Sequence, residues 1–516
     1  MNFNKIKNIN IDILYLFFLI LILMFLYLKY GNNIYIITGD FGREAYISSE
    51  VANGKVLYKD IFNIFAPMAY LVNALIIKIF NNSINTFLII SFILTTIVLS
   101  ALYKISTLFI AKSTSFLSCV TIIVTCVFAP TVFNWHLPYS YSYFYALASI
   151  MWAFYFTLKY LENSNNRKYI LYFLTLYSFS ISCKYDFVLY IIVIFLVFIH
   201  KKHAPKNYFK AIGIISIFPF ISLIILLLQK CTFNDIYFAI NYIYKYSTSS
   251  IMHFFYQYAG LAPGHFIIEK IKSVRFENLY SMIGYINIII LLFYFIKRYE
   301  FKYIIFSLAC IILAVKSILY IDVFDWYGPF FFHFLFLNFV VFITKIVNKN
   351  FIINIFLLCL IIINIHFGFT INSREGFETV TTNKGSLKIP SFNYSGIKLL
   401  DFVNKETNSD DKILVLPEGV IINYLTDRQT NGYLFHLISP NYYALGEDFI
   451  IKKFLDANFN YVIFQDYNYI EYGNEIFIDD WGKNFYNLVL DKYEFHKEFI
   501  NENGISFIVY KVKEQN

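Results

Sequence analysis

Long apolar runs separated by short polar connections dominate the first 370 residues of the chain. A membrane-spanning helix needs about 20 mostly apolar residues, and runs near this length recur throughout this part. Because a helix pairs its backbone polar groups internally, these runs predict a polytopic α-helical membrane protein. We place about eleven spans, at 11–30, 86–103, 115–133, 140–161, 169–183, 187–200, 209–228, 279–296, 301–319, 329–344 and 351–370. The fifth and sixth are short, and one broken helix is an alternative for them.

The pattern changes after Thr370, where the apolar runs shorten and charged residues and Asn become more frequent. Three short apolar runs predict strands, and two segments between them keep helical spacing. Alternating strands and helices are typical of an α/β domain. We therefore divide the chain into a transmembrane part, 1–371, and a small α/β domain, 372–516. The predicted strands are 412–416, 461–464 and 506–512, and the predicted helices are 448–457 and 484–492.

The distribution of Lys and Arg predicts which side of the membrane each connection faces. Cytoplasmic loops are enriched in these residues, whereas the connections 134–139 and 320–328 contain neither. The N-terminus is therefore predicted in the cytoplasm, and an odd number of spans places the C-terminal domain outside. The cytoplasmic set is Lys5, Lys7, Lys104, Lys112, Arg167, Lys168, Lys201, Lys202, Lys206, Lys210, Lys297, Arg298, Lys302, Lys345 and Lys349.

The same topology assigns two long outer segments, 31–85 and 229–278. The first contains an apolar but short run, 65–80, which carries Pro67, Asn73 and Lys78. If this run crossed the membrane, every later basic loop would face outward. We therefore predict an amphipathic helix that lies on the outer surface of a membrane, which we expect to be a bacterial cell membrane.

The composition excludes several classes of protein. Of the 516 residues, 58% are hydrophobic and 15% are charged, whereas soluble domains carry roughly 25% charged residues. This balance excludes a soluble globular enzyme and a disordered chain. The six cysteines form no CxxC pair, so neither a zinc site nor a disulfide framework is predicted. The net charge of +8 is explained by basic cytoplasmic loops, and nucleic acid is not an expected partner.

Charged residues that closely follow the first span are the main evidence for function, because such groups near a bilayer are costly unless they are used. Asp40 and Glu44 are four residues apart, so on a helix they share one face with Arg43 beside them. A carboxylate there can act as a general base toward an acceptor hydroxyl or amine, and Arg43 can steady it or bind a phosphate. The alternative is a solvated helix start with Asp40 as the N-terminal cap.

Two further charged groups are predicted on the outer side. Lys184 can pair with a lipid phosphate while Asp186 orients it or contacts a sugar, although a mutual ion pair that satisfies a broken helix is an alternative. Asp322 and Asp325 occupy a connection without positive charge. They can contact an acceptor or a divalent cation, or they can simply belong to an interfacial aromatic belt beside Trp326. The identity of any metal cofactor stays open.

The first outer loop also carries a motif of known type. The sequence NGKVLYKD occupies 53–60, and FAPMAY at 65–70 leads into the predicted surface helix. Together with the acidic Asp40 after the first span and the outer C-terminal domain, this order resembles the integral-membrane glycosyltransferases of the GT-C fold. Within them it is most similar to families 39 and 83, which include protein O-mannosyltransferases and the aminoarabinose transferases of lipid A.

The resemblance implies inverting transfer of a sugar from a polyprenyl-phosphate donor to a lipid, glycan or protein acceptor on the outer face. It implies Asp40 as the base. We also predict Arg43, Glu44, Tyr58 and Asp60 as substrate contacts. Two departures stand out. Many relatives have a second Asp after the third span, where this chain has Asn-Trp-His at 134–136, so their metal site is not carried over. Several relatives also have a paired Asp-Glu, which this chain lacks.

Two other classes of function remain as alternatives. A carrier or flippase for a lipid-linked or polar solute would favour inverted repeats and charges near the bilayer midplane, whereas this chain places its clearest acids just after the first span. A polysaccharide polymerase or ligase would also act outside on a lipid-linked substrate. For the C-terminal domain we predict acceptor binding by the turns at 417–419 and 431–432, without an acid–base pair of its own.

Overall fold

The computed structural model describes residues 11–35, 38–129, 134–258, 279–315, 324–374, 376–473, 475–501 and 504–513. Helices make up most of the part before residue 375. They are α1 Ile11–Tyr30, α2 Asp40–Ala52, α3 Met68–Phe80, α4 Ile84–Ser106, α5 Lys112–Ile122, α6 Tyr141–Glu162, α7 Arg167–Cys183, α8 Ile191–His200, α9 Pro205–Ile215, α10 Ile217–Leu228, α11 Phe233–Thr248, α12 Ser250–Tyr258, α13 Leu279–Ile296, α14 Phe301–Leu313, α15 Phe324–Val347 and α16 Asn350–Arg374.

Several of these helices are suited to a bilayer. Within the described ranges, four are long and apolar enough to cross a membrane: Ile11–Tyr30, Ile84–Ser106, Pro205–Leu228 and Phe330–Val347. Shorter apolar helices accompany them, and large side chains such as Phe25, Leu28 and Phe351 are exposed on the outer faces. Apolar side chains that face outward in this way are what a lipid environment accommodates. The protein is therefore an integral membrane protein, while the total of about eleven spans stays a prediction.

The predicted surface helix corresponds to α3, which begins at Met68 directly after Pro67. Its inner face buries Tyr70 and Asn73, whereas Ile79 and Phe80 are exposed. Large apolar side chains thus point outward from this helix, which fits a helix at a membrane surface. Between α7 and α8 the chain forms a short 3-10 helix, Tyr185–Tyr190. The two short segments around Lys184 are therefore separate helices with an irregular connection.

The C-terminal part combines strands and helices. The helices are α17 Tyr394–Glu406, α18 Val420–Thr426, α19 Ser439–Leu445, α20 Glu447–Ala457 and α21 Lys483–Lys492. The strands are β1 Phe377–Thr382, β2 Gly385–Pro390, β3 Ile413–Leu416, β4 Tyr461–Asp466, β5 Asn468–Tyr469, β6 Glu475–Ile476, β7 Tyr493–Phe499 and β8 Ser506–Val512. The main sheet has the order β3-β4-β8-β7, in which β3 and β4 are parallel and the other neighbouring pairs are antiparallel.

Both faces of β3 are buried. Because successive side chains of a strand point to opposite faces, Ile413 and Val415 join a core that continues into the membrane part and the first outer loop. Leu414 and Leu416 instead join a second core on the other face of the sheet, which includes Phe454 of α20 and Phe485 of α21. The sheet therefore has helices of the C-terminal part on both faces, and α18, on one of these faces, packs in turn against α2.

Two glycines allow the C-terminal part to approach the first outer loop closely. A Cβ atom on Gly42 of α2 would lie 2.3 Å from Cβ of Ile421 in α18. A Cβ atom on Gly432 would lie 2.1 Å from the carbonyl oxygen of Asp60, and the Gly432 carbonyl accepts a hydrogen bond from the Phe62 amide at 2.8 Å. These contacts hold α18 against α2 and the turn at Gly432 against the segment that follows α2. The division at residue 371 remains a prediction.

Candidate active site

Helix α2 carries the charged residues of the first outer loop. The helix begins at Asp40, and Gly39 precedes it without a side-chain capping bond. The Asp40 carboxylate pairs instead with Arg43, at 2.6 Å from Nη1. The Asp40 side chain is 25% exposed, that of Arg43 13% and that of Glu44 0%. The alternative of a solvated helix start capped by Asp40 is therefore wrong, because this carboxylate is partly enclosed and is bound to a guanidinium.

Glu44 is buried, and its hydrogen bonds join helix α2 to two neighbouring helices. Oε1 accepts a hydrogen bond from the Tyr70 hydroxyl at 2.7 Å, and Oε2 accepts one from the Tyr141 amide at 2.9 Å. Arg43 adds a weaker contact, with Nη2 at 3.5 Å from Oε1. Burial raises the pKa of Glu44, and the attraction of Arg43 and the Tyr70 bond oppose that shift. Glu44 thus joins α2 to α3 and α6 and holds Arg43 in place.

Two cations lie together over the ring of Phe65. The Lys184 ammonium is 4.2 Å from the ring centroid of Phe65 and 5.3 Å from that of Tyr139. The Arg43 guanidinium is 5.2 Å from the same Phe65 ring. Lys184 is 6% exposed and its Nζ is 3.6 Å from Asp186. The predicted ion pair of Lys184 with Asp186 exists, and the Lys184 charge also interacts with Asp40 and Glu44.

Two residues of the C-terminal part complete the cluster. Glu418 follows β3, and His436 lies opposite it in an isolated antiparallel bridge. His436 Nε2 is 3.2 Å from Glu418 Oε1, and one ligand atom each of Asp40, Glu418 and His436 lie within 4.8 Å of one another. The expectation that the C-terminal domain lacks an acid–base pair is therefore wrong. Folding brings this pair against Asp40 from the far end of the chain.

The environment of this pair sets its protonation states. Burial raises the pKa of Glu418 to about 7, although the positive charge of Arg43 opposes the shift. Burial, together with Arg43, lowers the pKa of His436 to about 3, so its imidazole is neutral near pH 7. Burial also raises the pKa of Asp40, against the attraction of Arg43. Arg43 is thus the main charge that opposes the rise in the pKa of Asp40 beside a second carboxyl group.

The hydrogen bonds of His436 decide whether this cluster suits a metal ion. Asn441 Nδ2 lies 2.6 Å from His436 Nδ1 and 3.0 Å from the His436 carbonyl oxygen. Because a carbonyl oxygen only accepts, this nitrogen is the donor to both atoms, and Nδ1 carries no proton. The proton of the neutral ring is then on Nε2, which faces Glu418. A metal-binding histidine must offer a free lone pair, so the three-residue group does not fit a metal through His436. Asp40 and Glu418 remain as two carboxylates that can share a divalent cation.

The other predicted site residues lie apart from the charge cluster or outside the described residues. The Tyr58 hydroxyl donates to the Phe65 carbonyl at 2.7 Å, and Asp60 Oδ2 accepts from the Val56 amide at 2.9 Å. Both contacts shape the loop beneath the C-terminal part. Asp325 belongs to α15, and its side chain and the whole of Asp322 lie outside the described residues. The predicted roles of these four residues in substrate binding therefore stay predictions.

Comparisons with solved structures identify the fold of the chain. No protein-family model matches the sequence, and no curated protein matches it. Among solved structures, ArnT from Cupriavidus metallidurans bound to undecaprenyl phosphate matches with a TM-score of 0.53 at 9% identity, over 96% of this chain and 97% of that chain. The archaeal oligosaccharyltransferase AglB from Archaeoglobus fulgidus, in complex with an inhibitory peptide and a dolichol-phosphate, matches with a TM-score of 0.51 at 10% identity, over 100% and 75% of the two chains.

A second structure of the Archaeoglobus fulgidus oligosaccharyltransferase, tethered to an acceptor peptide, matches with a TM-score of 0.53 at 11% identity, over 98% of this chain and 74% of that one. The match to ArnT spans nearly the full length of both chains. The chain thus has the GT-C-like fold of these membrane glycosyltransferases, as its resemblance implied. At such low identity the likeness establishes the fold, and the function has to be argued from the site.

Proposed function

We propose that the protein is a membrane glycosyltransferase that moves a sugar from a polyprenyl-phosphate donor to an acceptor on the outer face of the membrane. The observation that carries this proposal is the position of Asp40. Its partly exposed carboxylate pairs with Arg43, interacts with the charge of Lys184 and lies within 4.8 Å of the Glu418 carboxyl group. A carboxylate in this position can take a proton from an acceptor while the cations hold the leaving phosphate.

The two cations are suited to the donor. Transfer breaks the bond between the anomeric carbon and a phosphate oxygen, so negative charge grows on the polyprenyl phosphate as it leaves. Arg43 and Lys184 both contact the Phe65 ring, and Nε of Arg43 is buried without a partner among the described residues. A phosphate between these side chains would receive charge-assisted hydrogen bonds, which strengthen as the charge grows. ArnT and AglB were each solved with a polyprenyl or dolichol phosphate, which supports a lipid phosphate donor here.

The carboxylate is suited to the acceptor. Asp40 removes the proton of the acceptor hydroxyl or amine as that atom attacks the anomeric carbon from the side opposite the phosphate. One bond forms while the other breaks, so the configuration inverts and no covalent intermediate with the protein is required. The raised pKa of Asp40 makes it a stronger base than a solvated aspartate. We propose that this chemistry takes place outside the cytoplasm, where the distribution of Lys and Arg places the C-terminal part.

A turnover assay tests the proposal. Purified full-length protein in detergent is incubated with radiolabelled polyprenyl-phosphate sugars and a cell-envelope extract as the source of acceptors. We expect release of the free lipid phosphate together with a new labelled product, and loss of both in the Asp40→Asn variant. A carrier would instead move the intact labelled lipid between leaflets of a proteoliposome without releasing phosphate, and that result would contradict the proposal. A polymerase would give a ladder of products of increasing length.

A further inference from the structure

The charges around Asp40 come from two parts of the chain. The Arg43 and Lys184 side chains lie over the ring of Phe65, which belongs to the first outer loop. The C-terminal part contributes Glu418, within 4.8 Å of Asp40. A lipid phosphate would be repelled by this second carboxyl group. The donor therefore fits the two cations, and the acidic residues of the C-terminal part are left for the acceptor.

The acidic side extends beyond Glu418. Glu471, in the short 3-10 helix Ile470–Tyr472, is close enough for its charge to act on Glu418, and burial raises the pKa of Glu471 as well. Tyr469 precedes it, is 3% exposed, and its hydroxyl has no hydrogen-bond partner among the described residues. The charges of Glu418 and Glu471 both act on this hydroxyl. A buried hydroxyl without a hydrogen-bond partner costs folding free energy. A bound polar group that also interacts with the two acids would satisfy it.

Aromatic rings pack around Tyr469, the residue on whose hydroxyl the two acids act. Tyr469 packs against Tyr467 at 4.9 Å and Trp481 at 5.7 Å between ring centroids, and Tyr467 is 42% exposed. Carboxylates beside aromatic rings are a favourable environment for an ammonium group, which gains from both the charges and the ring faces. The neutral His436 adds no positive charge, and Arg43 is already paired with Asp40 and Glu44.

We propose that Glu418, Glu471 and Tyr469 form an acceptor subsite for a group that carries a positively charged amine next to its nucleophilic hydroxyl. The ammonium binds between the two acids and the Tyr469 hydroxyl, and the neighbouring hydroxyl reaches Asp40. The acceptor oxygen then bonds to the anomeric carbon, its proton passes to Asp40, and the electron pair of the broken bond leaves with the polyprenyl phosphate. This inference rests on the proposed function for the transfer step, but the binding step can be measured separately.

Three small probes of similar size test the binding step. Ethanolamine is cationic, ethylene glycol is neutral and glycolate is anionic. Their contact with the full-length protein in detergent is measured by saturation-transfer NMR at pH 8, where Glu418 is ionised and ethanolamine is protonated. We expect saturation of ethanolamine well above that of ethylene glycol and none for glycolate. The Glu471→Gln variant should weaken ethanolamine binding about tenfold, as loss of one charged hydrogen bond does.

The control is Asp401→Asn, which removes a carboxylate that is 62% exposed and paired with Lys405 on α17. Ethanolamine binding should be unchanged in this variant. Equal saturation by glycolate, or ethanolamine binding that Glu471→Gln leaves intact while the variant remains folded by circular dichroism, would overturn the inference.

A second arm adds radiolabelled donor to the same three probes. Faster release of lipid phosphate with ethanolamine than with glycolate supports both the subsite and the proposed function. Glu471-dependent binding of ethanolamine without any release would leave the subsite standing and count against the glycosyltransferase. If glycolate stimulated release of lipid phosphate as strongly as ethanolamine does, the glycosyltransferase would be supported and the subsite would be refuted.

Discussion

Replacement of Asp40 by Asn is the most direct test of the proposed base. The change keeps the shape of the side chain and removes its charge and its ability to take a proton. Removal of a general base typically slows turnover about a hundredfold to ten-thousandfold, which corresponds to about 3 to 5 kcal/mol of activation free energy. We therefore expect single-turnover release of lipid phosphate from a labelled donor to fall by at least about a hundredfold in Asp40→Asn.

The structure also predicts that Asp40→Asn retains its fold and its binding of the donor. The ion pair between Asp40 and Arg43 is partly exposed, so its loss lowers the free energy of unfolding by only about 1 kcal/mol. Arg43 retains Glu44 at 3.5 Å and the Tyr139 carbonyl at 3.3 Å, and these contacts keep the guanidinium in place. Binding of polyprenyl phosphate should be unchanged or tighter, because a negative charge beside the phosphate has been removed.

The matched control is Glu50→Gln, a change of the same kind near the other end of α2. Glu50 contacts the exposed Asn53 side chain at 3.3 Å and takes no part in the charge cluster, so its turnover should equal that of the unmodified protein. Turnover of Asp40→Asn within about threefold of that value, far less than the loss of a general base causes, would refute Asp40 as the base. Glu418 would then be the acid to examine, because it lies within 4.8 Å of Asp40, and the double variant would identify it.

Four further predictions concern the donor, the topology, the packing and the metal. Lys184→Ala should raise the dissociation constant for polyprenyl phosphate about tenfold, measured by equilibrium binding, whereas Lys405→Ala should not change it. An impermeant thiol reagent should label Asn53→Cys on intact cells, because Asn53 is exposed on the predicted outer loop; labelling only after permeabilisation would reverse the topology. Gly42→Val should lower the free energy of unfolding by about 1 to 3 kcal/mol and slow turnover by moving Glu418 from Asp40, whereas Gly213→Val, with nothing within 4 Å, should do neither. Chelation by EDTA should leave turnover unchanged, because His436 presents a protonated Nε2 and the Asp40 carboxylate is already paired with Arg43 at 2.6 Å; loss that Mn²⁺ or Mg²⁺ restores would show instead that Asp40 and Glu418 share a cation.

Local sequence pattern was sufficient for most individual elements. The apolar runs at 11–30 and 86–103 correspond to α1 and α4, and the surface helix predicted at 65–80 corresponds to α3. In the C-terminal part the predicted strands correspond to β3, β4 and β8, and the predicted helices correspond to α20 and α21. These predictions succeed because the spacing of apolar residues is a local property that a helix or strand imposes on its own segment.

The same local reasoning missed elements whose apolar pattern is weak. Strand β7 at Tyr493–Phe499 has exposed residues along most of its length, and strand β1 at Phe377–Thr382 has no fully buried residue. Neither carries an apolar run that would distinguish it from a loop. These strands form because β8 and the first outer loop offer backbone hydrogen-bond partners, as Ile34 does when its amide donates to the Lys388 carbonyl.

The sequence by itself therefore determined the membrane class and the order of many of the helices. It drew attention to Asp40 because that residue closely follows the first span. Only the tertiary structure decided that Glu418 and His436 lie beside Asp40, since no periodicity relates residues so far apart. That proximity depends on the absence of side chains at Gly42 and Gly432, which allows α18 and the turn before α19 to rest directly on the first outer loop.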